Sequence, residues 1–146
     1  GNPAEGGRKV TVSEAIIQWL KQFAPEKMRQ IDTDRMHGDV DFALVKEPTI
    51  NVKKYISGTE VHTEYYQMLA RLPSLTDTDC VENGAWMEEL TRWIEKRDRE
   101  RNYPELDNGT VQKIGISSSF FVGENEDADA IYQMTISIQY IRRNKA

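Results

Sequence analysis

The sequence predicts an α+β domain in which an antiparallel or mixed sheet carries two main helices packed on one side. Three observations lead there. Two stretches, one around Trp19 and one from Trp86 to Trp93, repeat apolar residues at helical spacing. The segment from Ala130 to Tyr140 alternates apolar and polar residues strictly, as a half-buried strand does. The elements run in the order helix, strands, helix, strands, which gathers helices on one face of a sheet. A chain of 146 residues is long enough to bury one ordinary core, so a single domain is expected. With 38% hydrophobic and 29% charged residues, the composition suits a globular protein better than a disordered one. No stretch approaches the roughly 20 apolar residues that a membrane helix needs. A net charge of -5 argues against a generic grip on nucleic acid, whose phosphates reward a basic face. Cys80 is the only cysteine, which rules out an internal disulfide and a cysteine-built zinc site.

Residues 1–10 are expected to be a flexible arm. They are rich in glycine, lack the apolar core of a secretion signal, and start with Gly1 in place of an initiator Met, which reads as an expression remnant. The domain itself is expected over residues 11–142, with 143–146 as a tail. Its first helix starts at Thr11, because Glu14 follows at the spacing that lets each side chain satisfy the other's backbone donor. Val12, Ala15, Ile16, Trp19, Leu20 and Phe23 then make one apolar stripe, ended by Pro25. Between Glu26 and Gly38 the pattern is polar and weak, leaving strand, loop and mobile segment open. Phe42 to Val45 is a short apolar run. Beyond Pro48 the chain alternates loosely through Ile50, Val52 and Ile56 to a Ser57-Gly58 turn, so a hairpin is expected whose second strand runs from Thr59 to Leu72.

Asp77, Thr78 and Asp79 are candidate caps for a second helix whose face carries Trp86, Leu90, Trp93, Ile94 and Arg97. The charged run 95–101 reads as its solvated end. After the Asn108-Gly109 turn, Ile114, Ile116, Phe120 and Val122 are expected to point one way along a long strand. An acidic loop from Gly123 to Asp127 then leads to a second long strand, completing a hairpin. One face of this hairpin is apolar enough to lie under the helices. The other is polar and uncharged, lined by Ser117, Ser119, Gln133, Thr135, Ser137 and Gln139. Arg142, Arg143 and Lys145 form a small basic tail.

Catalytic patterns are missing. His37 and His62 are the only histidines and read as surface residues; neither a metal-ligand spacing nor a Gly-x-Ser-x-Gly elbow accompanies them. Cys80 lies near a helix start, but no histidine can be placed beside it from the sequence. Glu124, Glu126, Asp127 and Asp129 offer hard oxygen ligands, yet without the turn glycine and closing glutamate of a calcium loop they read as a solvated loop. Asn108-Gly109-Thr110 fits the glycosylation pattern and is better taken as a turn. No glycine-rich phosphate motif is present. Neither catalytic residues nor metal ligands nor a cofactor are therefore expected. The polar hairpin face either meets water or serves as a subunit interface or ring lumen, where hydrogen-bonding side chains give specificity without burying charge. On the second alternative the candidate interface is Ser117, Ser119, Glu124, Glu126, Asp127, Gln133, Thr135, Ser137 and Gln139.

Four segments, taken in order, carry a resemblance. They are Val-Ser-Glu-Ala-Ile-Ile-Gln-Trp-Leu from Val12, Thr-Glu-Tyr-Tyr-Gln-Met-Leu-Ala-Arg from Thr63, Ala-Trp-Met-Glu-Glu-Leu from Ala85, and Ala-Ile-Tyr-Gln-Met-Thr-Ile-Ser-Ile-Gln-Tyr from Ala130. Together they resemble the tail-terminator or minor capsid (tail-completion) family of long-tailed phages and prophages of Gram-positive bacteria. The resemblance implies a non-enzymatic helix-and-sheet subunit that closes into a hexameric ring, caps the finished tail tube, ends its polymerisation and helps join tail to head. The implied partners are further copies of the chain, the tail-tube protein and a head-completion or connector protein, with neither nucleic acid nor membrane. The implied location is the head–tail joint of the virion, and the host cytoplasm during assembly. A chloramphenicol-resistance label attached to some members finds no support, since neither His37 nor His62 has the neighbouring histidine that the acetyltransferase motif requires. The competing expectations are a head-completion or neck protein at the same joint, and a small ligand-binding or enzymatic domain unrelated to phage.

Overall fold

The structure is a computed structural model that describes residues 10–23, 31–33, 41–73, 77–117, 120–124 and 129–143. In chain order the elements are α1 (Val12–Leu20), β1 (Ile31–Thr33), β2 (Asp41–Lys46), β3 (Asn51–Lys54), β4 (Thr59–Pro73), α2 (Asp77–Arg99), β5 (Thr110–Ile116), β6 (Phe120–Glu124) and β7 (Asp129–Arg143). The fold is α+β, as expected. Its spine is the antiparallel pair β4–β7, matched along 15 residues from Thr59 opposite Arg143 to Pro73 opposite Asp129. At about 3.4 Å per residue this pair is roughly 50 Å long. β2 and β3 share the outer edge of β4, and β5 and β6 share the outer edge of β7. β1 lies parallel to β2, which makes the sheet mixed. The stretch left open between Glu26 and Gly38 thus holds a short strand at 31–33, and its remainder lies outside the described residues, as does His37.

α1 begins where its capping box dictates. The Thr11 hydroxyl accepts from the Glu14 backbone N–H at 3.1 Å, and the Glu14 carboxylate accepts from the Thr11 N–H at 3.4 Å. Its buried side presents Ile16, Trp19 and Leu20. α2 starts at Asp77, so Asp77, Thr78 and Asp79 occupy its first turn instead of preceding it. Its other end closes with crossed bonds, Asn102 N–H to the Arg97 carbonyl at 2.9 Å and Arg101 N–H to the Asp98 carbonyl at 3.1 Å. That closure puts Arg101 at φ 57°, where glycine is the usual occupant.

Both helices lie on one face of the sheet. A single buried cluster joins Ile16 and Leu20 of α1, Leu90 and Ile94 of α2, and Leu44, Met68, Ile136 and Ile138 of the strands. An aromatic seam ties these layers together. Trp19 meets Trp93 at 4.8 Å between ring centres, Phe23 meets Trp86 at 5.7 Å, and Trp86 meets Phe42 at 5.3 Å. The Trp19 indole N–H also donates to the Asn102 carbonyl at 2.9 Å, fixing α1 to the end of α2. The tryptophans are core residues, as their helical spacing predicts, with Trp19 buried and Trp86 and Trp93 half-buried against the cluster.

Three expectations need correction. The run 95–101 is not merely a solvated helix end, because the Arg97 guanidinium lies 4.8 Å from the Trp93 ring centre. In the same run Asp98 accepts from the Tyr103 hydroxyl at 2.8 Å and from the Ile114 N–H at 3.1 Å, which ties α2 to β5. The partner of β7 is not one strand but two. Ile116 sits opposite Ile136 while Phe120 sits opposite Gln133, a register slip of one residue, and a second irregularity falls between Phe121 and Gly123. Phe120 therefore does not continue the alternation of Ile114 and Ile116. Finally, β7 runs through Arg143, and Arg142 is no loose tail residue: its Nε donates to the Asn108 carbonyl at 3.3 Å and its guanidinium lies over the Tyr140 ring.

Candidate functional site

Two regions of the described chain hold side chains that the core does not account for. The first is the sheet face opposite the helices. Directly paired residues in an antiparallel ladder share a face, so β7 contributes Gln133, Thr135, Ser137 and Gln139, which β4 meets with Leu69, Gln67, Tyr65 and Thr63 in turn. All eight are partly exposed, each covered only in part by its neighbours. Ser117 joins them at the end of β5, where its N–H donates to the Thr135 carbonyl at 2.9 Å. Gly115 faces Ser137 so closely that an added Cβ would lie 3.0 Å from the Ser137 hydroxyl.

Of the sequence-predicted interface residues, Ser117, Gln133, Thr135, Ser137 and Gln139 come together on this face. Glu124 ends β6 opposite Ala130, at the far end of β7, and Ser119, Glu126 and Asp127 lie outside the described residues. The face is also less uniformly polar than the sequence suggests, for Tyr65, Leu69, Ile131 and Ile141 share it and Arg71 stands opposite Ile131. The β4 half of the face was missed because nothing local pairs β4 with β7. The alternating Thr63, Tyr65 and Gln67 were the available signal.

The second region is a polar plug at the open end of the helix–sheet layer. His62, Glu64 and Tyr66 alternate on the core side of β4, with Tyr140 opposite His62. The Glu64 carboxylate accepts from the Tyr66 hydroxyl at 2.7 Å and from the Tyr140 hydroxyl at 2.7 Å, and the Lys46 ammonium stands 3.6 Å away. Burial pushes the Glu64 carboxyl up, but the bonds from Tyr66 and Tyr140 and the nearby Lys46 and His62 outweigh it and hold the group below its ordinary 4.5. Burial, then the bonds to Glu64, raises both phenols well above their ordinary value. His62 is not the surface histidine that the sequence suggested. Its side chain is 12% exposed, stacked on Tyr140 at 5.0 Å between ring centres, with Nε2 at 2.9 Å from a Glu60 carboxylate oxygen. Beside this network opens a pocket of about 390 Å³, lined by Lys46, Asn51, His62, Glu64, Tyr140 and Arg142 among others.

What this plug can do chemically is limited by its bonding. Glu64 is ionised and already spends its oxygens on two phenols and an ammonium, so it is an acceptor that organises its own neighbours. Among the described residues no group of three or more His, Cys, Asp or Glu is placed to hold a metal ion, and no helix is long and apolar enough to cross a membrane. A comparison with protein-family models finds no match, and a comparison with curated proteins finds none either.

Proposed function

We propose that this chain is a non-catalytic structural subunit of a phage or prophage tail, one that caps the tail tube as a ring, ends its polymerisation and helps join tail to head. The observation that carries this reading is the second sheet face. Strands of 15 residues present a broad, charge-poor, half-buried surface that no described helix covers. Such a surface suits protein contact, since hydroxyls and amides can exchange water for partner groups without the cost of burying charge. The four segments that resemble the tail-terminator family support the same reading. They coincide with α1, the middle of β4, the middle of α2 and the length of β7, the elements that build the layer and the face. In a ring, each copy uses two different patches, and rotation closes the set. The partners are other copies, the tail-tube protein and the connector at the head.

A second reading, a small ligand-binding domain, has the pocket beside Glu64 in its favour. The carboxylate's commitment to Tyr66 and Tyr140 makes it the weaker of the two. Deleting the gene from its phage tests the proposal: heads should stay intact while tails reach uncontrolled lengths and fail to join them. Normal tails and infectious particles from the deletion would overturn it.

A further inference from the structure

The sequence holds two Asn-Gly dipeptides, Asn83-Gly84 and Asn108-Gly109, and the fold treats them differently. Asparagine followed by glycine is prone to lose its amide, because glycine leaves the backbone free to rotate and no side chain shields the nitrogen that must attack. Asn83 lies inside α2 and is 6% exposed, and there the Gly84 N–H is a donor in the ladder of bonds along the helix. Ring closure at Asn83 would break that bond and the helical turn around it.

Asn108 is exposed, in the short turn between Leu106 and Gly109, which are joined by an isolated bridge. The regular pairing of β5 begins only at Thr110, opposite Ile141. Packing also bears on the two glycines. An added Cβ at Gly109 would lie 3.0 Å from the Ile141 carbonyl oxygen and 3.2 Å from the Tyr140 ring, so the close approach of β7 favours glycine there. At Gly84 a Cβ would meet nothing within 4 Å. The contact with β7 thus retains the reactive dipeptide at 108–109, whereas the helix merely tolerates its twin.

We propose that Asn108 is a deamidation site of the folded chain and that α2 spares Asn83. The Gly109 nitrogen attacks Cγ of Asn108, a C–N bond forms as the Cγ–Nδ2 bond breaks, and ammonia leaves with the proton of the Gly109 N–H. Water then opens the cyclic imide. Opening at the side-chain carbonyl gives aspartate, and opening at the backbone carbonyl gives isoaspartate, whose chain runs on through the former side chain with an extra methylene. Arg142 bears on the second route, since its Nε donates at 3.3 Å to the Asn108 backbone oxygen, which isoaspartate retains in its free carboxylate. A carboxylate there makes that bond a pairing of two charges. Either product adds one negative charge beside Asp107, whose carboxylate accepts from the Val10 N–H just ahead of α1. The turn that changes is therefore the one that holds the chain entering the first helix.

Incubation of the full chain in mildly alkaline buffer, folded and in denaturant, followed by peptide mapping with mass spectrometry, tests the assignment. In denaturant both dipeptides should convert from amide to acid at similar rates. In the folded chain Asn108 should convert while Asn83 lags it by roughly tenfold or more, because opening of the helix must precede its reaction. Ammonia release from the folded chain should nearly cease in Asn108→Gln, whose longer side chain closes its ring far more slowly. Conversion of Asn83 as fast as Asn108 in the folded chain would overturn the assignment. So would a folded chain whose Asn108 stays intact while the denatured chain reacts, or undiminished ammonia release from Asn108→Gln.

Discussion

The two faces of the β4–β7 pair come from the same alternating strands, yet one is finished and the other is not. On the helix side Met68, Ala70, Leu72, Met134, Ile136 and Ile138 are all 0% exposed. On the opposite side Tyr65, Gln67, Leu69, Thr135, Ser137 and Gln139, at alternate positions of the same two strands, all keep partial contact with solvent. Alternation decides that a strand has two faces; what lies over each face decides what that face is for. Stability is concentrated under the helices, where burial removes apolar surface from water and leaves no room for adjustment. The open face contributes less to folding and is free to serve recognition. The same division runs along the strands, for the core side turns polar at His62 and Glu64, which share a pocket with Thr11, Val12 and Ser13 at the start of α1.

The sharpest contrast between the faces is a pair of neighbouring substitutions. Ile136→Ala should cost about 2 to 5 kcal/mol in denaturant unfolding, the range for a fully buried aliphatic side chain. Ser137→Ala should change stability by less than about 0.5 kcal/mol. Equal costs would erase the distinction. Asp98→Ala comes next. It leaves the part-buried Ile114 N–H without its side-chain acceptor and takes one acceptor from the Tyr103 hydroxyl, which keeps the Asp98 and Gln112 carbonyls, for a loss of about 1 to 3 kcal/mol. Thr11→Ala removes one half of the α1 capping box and should cost about 1 kcal/mol, seen as an earlier thermal midpoint.

The polar plug sharpens the comparison through pH. The folded-state pKa of Glu64 lies below its unfolded value, so its contribution is fully present above pH 4.5 and is lost as the pH falls through the folded value. Wild type should therefore lose stability on acidification relative to Glu64→Gln, and the two should run parallel above that range. Parallel curves throughout would mean that the Tyr66 and Tyr140 bonds do not favour the ionised form.

Much of the core layer was legible because its signals are local. The Thr11–Glu14 spacing marks the start of α1, Ser57-Gly58 marks the β3–β4 turn with Gly58 at φ 89°, and the tryptophans fall on faces that repeat every turn. The face that carries the proposed function was half legible. Its β7 side alternates visibly, but its β4 side depends on pairing residues about 60 to 80 positions apart, which no local pattern encodes. His62 and Glu64 were misread or passed over for a related reason: their core-side positions on β4 depend on the distant pairing with Tyr140 and Ile138. The slip between β5 and β6 hid in the run Ser117, Ser118, Ser119, which has no apolar residue to reveal a shift of phase.

The central claim, that the helix-free face is the working surface, is tested most directly by hydroxyl-radical footprinting of the assembled ring on its tail tube against the free subunit. Labelling of Tyr65 and Leu69 on the open face should fall several-fold on assembly, while half-buried Trp86 on the helix side should label as before. Unchanged labelling of Tyr65 and Leu69 in a ring shown to cap the tube would contradict the account.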